Sequence, residues 1–239
     1  MKAIFKRDFA AYFTSPIGYV YIGAYILVLN LMFYLNNALG SSSSLNTVFS
    51  FMLTMMMFLT PILTMRIFSE EFKSKTDQLL LTTSVSLPSI VLGKFLSALA
   101  IFSCVLMLTL LWVFIISIYG DNHIPEVIGS YVGIFCLGAA YISMGIFISS
   151  RTENQVIAAV GSLGLFIALF LLDMLVLFLS TRGILPSSLL NVLRFISINS
   201  HFAVITRGLL TLDGIVFFLS ICAVFLALTV RGLEKRRWG

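Results

Sequence analysis

The stretch SEEFKSKTDQLLLTTSVS occupies residues 69–86 and stands between two long apolar runs. Five of its first nine residues are charged, and the next nine carry no charge at all. The flanking runs are long enough to cross a bilayer, so the stretch reads as a polar connection at a membrane face. On a helix, Phe68, Phe72, Thr76, Leu79 and Leu80 fall along one side. Ser69 is placed to cap the start, and Glu70 and Glu71 suit its positive dipole end. Glu71 and Lys75 form an i,i+4 pair in the favoured order. Thr82, Thr83 and Ser84 then loosen the helix, and Ser86 and Pro88 suit the start of the next one. The expected unit, residues 68–86, is a short amphipathic helix parallel to the membrane followed by an elbow. Held between two spans, such a helix is a lever that a soluble partner can push.

Composition agrees with a membrane setting. The chain of 239 residues is 59% hydrophobic and 10% charged, with a mean hydropathy of +1.06. A soluble domain carries about 25% charged residues. The expected fold is therefore an all-α integral membrane protein, a single domain over residues 1–239. Six apolar runs are long enough to span, near 17–35, 48–67, 90–119, 127–149, 156–180 and 214–230. The longest polar segments run to roughly 30 residues, too short for a core of their own. Elaborate soluble chemistry, ATP hydrolysis included, would have to come from a partner. Residues 1–15 place Phe5, Phe9, Tyr12 and Phe13 at helical spacing, mostly apart from Lys2, Lys6, Arg7 and Asp8. That suits an interfacial helix, with a plain flank to the first span as the alternative. Cys104, Cys136 and Cys222 sit in apolar runs and read as small buried hydrophobes.

Lys and Arg are unevenly shared between the two sides. Lys2, Lys6, Arg7, Arg66, Lys73, Lys75, Lys94, Arg151, Arg231, Lys235, Arg236 and Arg237 fall on one side, 12 of the 15. Arg182, Arg194 and Arg207 fall on the other. The positive-inside rule makes the first side cytoplasmic, with both termini and the 69–86 stretch. Orientation accounts for the basic balance, and no nucleic-acid partner is implied. Outside, residues 36–46 form a Ser-rich hairpin and 120–126 a short loop; inside, RTENQ at 151–155 is a tight turn. Residues 181–213 differ: half apolar and broken by Gly183, Pro186 and Gly208, they suggest two short helices. These either dip into the outer leaflet or lie as a surface hairpin.

Catalytic motifs are missing from the sequence. There is no HExxH, no GxSxG and no Walker A, and the two histidines, His123 and His201, both fall in external segments. Asp173 is the clear ionisable residue inside a span; it can pair with Arg182 or Arg194, serve a pathway, or sit exposed at the interface. Small residues gather in span four (Gly133, Gly138, Ala139, Ala140, Ser143, Gly145, Ser149) and span five (Ala158, Ala159, Gly161, Ser162, Gly164). They permit close helix approach, within one subunit or at a dimer seam.

The stretch RIFSEEFKSKTDQLLLTTSVSLPSIVLGKF, residues 66–95, resembles the signature region of ABC-2 type transporter permeases. Glu70, Glu71, Thr76, Leu79, Leu80, Val85, Ser86 and Lys94 match its pattern. Lys75 stands where Gly is usual, Gln78 where Glu is usual and Ser84 where Pro is usual; loss of the Gly is expected to straighten the helix. The resemblance implies that this region, with Phe72, Asp77 and Gln78, is a coupling helix docking on a separate ABC ATPase. ATP and Mg would then be held by that partner, and this chain would bind no cofactor. Three further stretches resemble the gliding-motility and copper-processing branch: SPIGYVYIG (15–23), AAYISMGIFISSRTENQVIAA (139–159) and INSHFAVITRGLLTLDGIVFF (198–218). In the last, Asn199, His201, Phe202, Arg207, Gly208 and Asp213 match, and they are expected at an external gate. The implied protein is a permease subunit of the bacterial inner membrane. It would pair with a second copy or a related permease and an ATPase dimer, in some relatives with a membrane protein bearing a large extracytoplasmic domain. Its implied substrate is lipid-linked, amphiphilic or polymeric. The alternatives are a scaffold that transmits ATPase-driven force outward without moving solute, and a secondary transporter.

Overall fold

The computed structural model describes residues 1–40, 45–76, 85–119, 124–182, 197–198, 201–202 and 212–238. The described residues are helical, with no strand, and six helices are long and apolar enough to cross a membrane. The chain begins with α1 (Lys2–Thr14), which breaks at Ser15 in extended conformation before α2 (Pro16–Phe33). Pro16 takes the first helical position, where its missing N–H costs nothing. The corner is tight: a Cβ on Gly18 would lie 2.5 Å from the Tyr12 carbonyl oxygen. α2 runs on as one widened π-helical segment, Tyr34–Leu39, so the first span outlasts the expected end at residue 35.

α3 (Asn46–Thr64) leads through a turn into the short α4 (Ser69–Lys73). α5 (Leu87–Tyr119) follows; at 33 residues it is about 50 Å long and overshoots a 30 Å hydrocarbon core. α6 (Ile124–Ser149) and α7 (Gln155–Arg182) are joined by the expected tight turn, in which Asn154 Oδ1 accepts the Val156 N–H at 2.9 Å. α8 (Leu212–Trp238) carries its helix past the expected end at residue 230 into the basic terminus.

α6 is the hub. Of its most apolar window 72% is buried, against 22% for those of α2, α7 and α8, and it packs on α3, α5, α7 and α8. Its small residues make this possible: Gly138 faces the Phe102 ring of α5 and Gly145 faces Thr64 of α3. For span four, then, packing within the subunit accounts for Gly138 and Gly145. In α7, Gly161 meets Ile148, whereas a Cβ at Gly164 would meet nothing within 4 Å.

Asp173 is buried within α7. Arg182 lies about 13 Å of helical rise further along and stacks over Phe178 at 5.5 Å, so it does not reach that carboxylate. Cys136 and Cys222 are buried and Cys104 half-buried, all three as free thiols. Residues 183–196, 199–200 and 203–211, and with them the two expected external helices, lie outside the described residues.

Candidate functional site

Of the basic residues assigned to one face, Arg7, Arg66, Lys94 and Arg236 gather around α4. The start of a helix leaves N–H groups without intrahelical partners. Here two of them are satisfied from another span: Ser149 Oγ, at the end of α6, accepts the N–H of Phe68 at 3.2 Å and of Ser69 at 3.3 Å. The same hydroxyl donates to the Met65 carbonyl at 3.1 Å. Ser69, the cap expected from sequence, instead turns its hydroxyl back to the Met65 carbonyl. α4 is thereby pinned to α6 across 80 residues of chain.

The helix is shorter than its periodicity suggests. It ends at Lys73, and Lys75 adopts a left-handed φ of 57°. The Thr76 N–H bonds the Glu71 carbonyl at 3.0 Å and the Lys75 N–H bonds the Phe72 carbonyl at 3.2 Å. That pair of bonds is a Schellman motif with Lys75 at the position where Gly is favoured. The missing Gly therefore does not straighten the helix; Lys75 takes the strained conformation itself. Nor does one helix run from Glu70 to Leu80, because the turn at 74–76 closes it; residues 77–84 lie outside the described residues. Lys75→Gly should stabilise the chain by up to about 1 kcal/mol, the left-handed penalty less the entropic cost of Gly. Lys75→Val should destabilise it. Thermal melting of the purified variants checks both directions.

Glu71 does not pair with Lys75 but turns inward. Its Oε1 lies 2.8 Å from Lys94 Nζ and 2.8 Å from an Arg7 Nη of α1. Lys94, on the first turns of α5, is only 3% exposed. It also donates to the Ile67 carbonyl at 2.9 Å, lies over the Phe68 ring at 5.1 Å and approaches Asp8 Oδ2 at 3.2 Å. That last contact is an ion pair without hydrogen-bond alignment. Arg7 Nε donates to Asp8 Oδ1 at 2.7 Å. Two cations and two carboxylates from α1, α4 and α5 thus form one knot, and the buried ammonium is compensated. Burial works against the Arg7 charge, and Asp8 and Glu71 outweigh it, holding the guanidinium above its ordinary value. Tyr12 donates to the Leu63 carbonyl at 3.0 Å, near the end of α3, and burial pushes its phenol well up.

On the other side of α4, Phe72 is 3% exposed and the Arg236 guanidinium of α8 stacks over it at 3.9 Å. Arg236 also pairs with Glu153 in the turn between α6 and α7. A cleft of about 390 Å³ opens beside the knot, bounded by α1, the start of α2, the 66–76 segment and α5.

Of the residues marked from sequence, Glu71 and Lys94 meet inside the subunit, and Phe72 is buried under Arg236. Glu70 is half exposed and forms a two-pronged bond with Arg66. Thr76 and Ser86 are exposed, and Ser86 shares a hydroxyl bond with Ser89 at 2.8 Å. Asp77, Gln78, Leu79 and Leu80 lie outside the described residues. In the other group, Phe202 is buried, His201 stacks on Phe217 at 4.2 Å and Asp213 is exposed in the first turn of α8. Asn199, Arg207 and Gly208 lie outside the described residues. Sequence reading missed the parts played by Asp8, Ser149 and Arg236. Only Asp8 left a signal, as the acid among the basic residues of α1.

Residues 58–238 match the model of a family described as ABC-2 family transporter protein. The chain belongs to that family. No curated protein matches it. ABC-2 membrane domains are permease subunits of ABC transporters, so an ABC ATPase partner is implied. The match takes in α4, Lys94, Ser149 and Arg236, whereas α1, with Arg7, Asp8 and Tyr12, precedes it.

Proposed function

We propose that this permease is the transmembrane half of an ATP-driven exporter and that α4 with its closing turn is where the ATPase presses. The single observation that carries the reading is the bracing of α4. It is tied to α1 and α5 through Arg7 and Lys94, to α6 through Ser149 and to α8 through Arg236. A push on α4 therefore reaches four other helices rather than bending a loop. Lys73, Ser74, Lys75 and Thr76 are exposed and form the contact face; Glu71, Phe72 and Lys94 transmit. The α4 end is cytoplasmic, as are both termini, in a bacterial inner membrane, on the strength of the Lys/Arg excess gathered there.

In this proposal two copies, or one copy and a related permease, surround the path with two ATPase subunits. ATP and Mg are bound by that partner. The substrate is lipid-linked, amphiphilic or polymeric. The gliding-motility-type branch, with a partner bearing a large extracytoplasmic domain, rests on the resemblance of residues 15–23, 139–159 and 198–218. The test is Lys73→Glu with Thr76→Lys, which alters the exposed face and leaves the knot intact. ATPase co-purification and permease-stimulated hydrolysis should both fall by about tenfold or more, the loss of at least one good interfacial contact. Unchanged association and stimulation would overturn the docking assignment. A proteoliposome assay then separates export from purely mechanical output.

A further inference from the structure

We infer that the cleft beside the knot is a binding site for a phosphoethanolamine group, a primary ammonium joined to a phosphate. The cleft lies where the spans end: Ile17 opens α2 and Ser97 is on the early turns of α5, and both line it. Its charged lining is balanced rather than single-signed. Arg7, Arg66 and Lys94 line it together with Asp8, Glu70 and Glu71. A net-neutral site that offers both kinds of charge suits a zwitterion better than a simple anion or cation.

Both poles retain unused capacity. Glu71 Oε2 is buried and accepts no hydrogen bond, while Oε1 takes both Lys94 and Arg7. A buried carboxylate oxygen without a donor is costly, and an incoming N–H would relieve that cost. Asp8 Oδ2 also lacks an aligned donor, which gives an ammonium a second acceptor. On the cationic side, Arg7 donates Nε and one Nη to the knot and is half exposed. Arg66 donates Nε and one Nη to Glu70. A guanidinium has five N–H donors, so each keeps about three for phosphate oxygens. Tyr12, Ser74, Thr76 and Ser97 add hydroxyls to the walls.

A divalent cation fits less well. Among the described residues no group of three or more metal-ligating side chains occurs. The volume suits the group too, lying in the range of small-molecule sites, about 300–1,000 Å³. The inference does not depend on ATPase docking, because ligand binding can be read on the permease alone.

The test uses the full chain, purified in detergent and stripped of lipid, followed by thermal melting and native mass spectrometry. Phosphatidylethanolamine, phosphatidylcholine and phosphatidylglycerol are added at equal mole fraction, with soluble phosphoethanolamine in a separate arm. Phosphatidylethanolamine should raise the melting temperature and stay bound as one molecule per chain. Phosphatidylcholine lacks ammonium N–H donors and phosphatidylglycerol lacks the ammonium, so both should bind at least about tenfold more weakly. A shift with soluble phosphoethanolamine as large as with the lipid assigns a free ligand; a shift with the lipid alone assigns a membrane headgroup. Glu71→Gln should erase the preference for phosphatidylethanolamine. Should that variant fail to fold, Arg7→Gln at the half-exposed pole should weaken binding by about the same factor. Equal responses to the three lipids, no response to any, or an unchanged preference in these variants would overturn the inference.

Discussion

Lys94→Ala is expected to cost the folded chain about 3–5 kcal/mol, the largest effect of any single change at the α4 end. The cost is electrostatic. Lys94 is 3% exposed and is the shared partner of Asp8 and Glu71. Removing it leaves two carboxylates facing one cation, Arg7, with the Ile67 carbonyl also stripped of its donor. A buried charge that loses its partner bears its full desolvation cost. The Phe68 ring loses its cation as well, at 5.1 Å.

Lys94→Met keeps the aliphatic volume and should still be strongly destabilising, because the charge imbalance is unchanged. Pairing it with Glu71→Gln restores balance, leaving Arg7 with Asp8. The double variant should recover more than half of the lost stability, giving a coupling energy of roughly 1–3 kcal/mol. Melting curves for the wild type, both single variants and the double variant measure it. Additive losses would mean that Lys94 acts by filling space and not by charge. The cycle also separates the two roles of the site. A refolded double variant that still associates with the ATPase but no longer stimulates turnover marks the knot as a transmitter.

The same residues show what the sequence could and could not disclose. Six spans were legible because about 20 apolar residues in a row have one solution in lipid. The length of α4 was not. Its periodicity runs through Leu79, yet the helix stops at Lys73 because Lys75 adopts the left-handed cap conformation, which nothing in its chemistry announces. Glu71 was marked and its partner mistaken: an i,i+4 rule describes an isolated helix, whereas here a buried ammonium on another span competes and wins. Ser149 was read as a small packing residue, and it does sit in the crowded seam. Its hydroxyl became the cap of α4 through a contact spanning 80 positions, which no local pattern encodes. Tertiary partners far along the chain decided the last two of these details.

A second large effect is expected in the middle of the bundle, at Gly138. A Cβ there would fall 2.3 Å from Phe102 Cε1 and 2.8 Å from both Cδ1 and Cζ of the same ring. Phe102 cannot simply swing aside: it is 1% exposed and packs against Tyr25 of α2 with ring centres 6.5 Å apart. Gly138→Ala must therefore push α5 from α6 or force the ring off its rotamer, at a cost of about 1–3 kcal/mol. Gly138→Val should cost more, since its branched Cβ adds two methyls to the same collision. Phe102→Leu in the Gly138→Ala background should return part of the loss by removing the ring edge. The internal control is Gly164→Ala in α7, where a Cβ meets nothing within 4 Å. Within one subunit that change should be neutral, or stabilising by up to about 1 kcal/mol through helix propensity. Melting of the four variants in detergent orders them, and equal losses at Gly138 and Gly164 would refute the steric account. Should Gly164→Ala leave the single subunit intact yet weaken its association with a second permease, the open face of α7 is a subunit seam, whereas Gly138 serves the subunit's own packing.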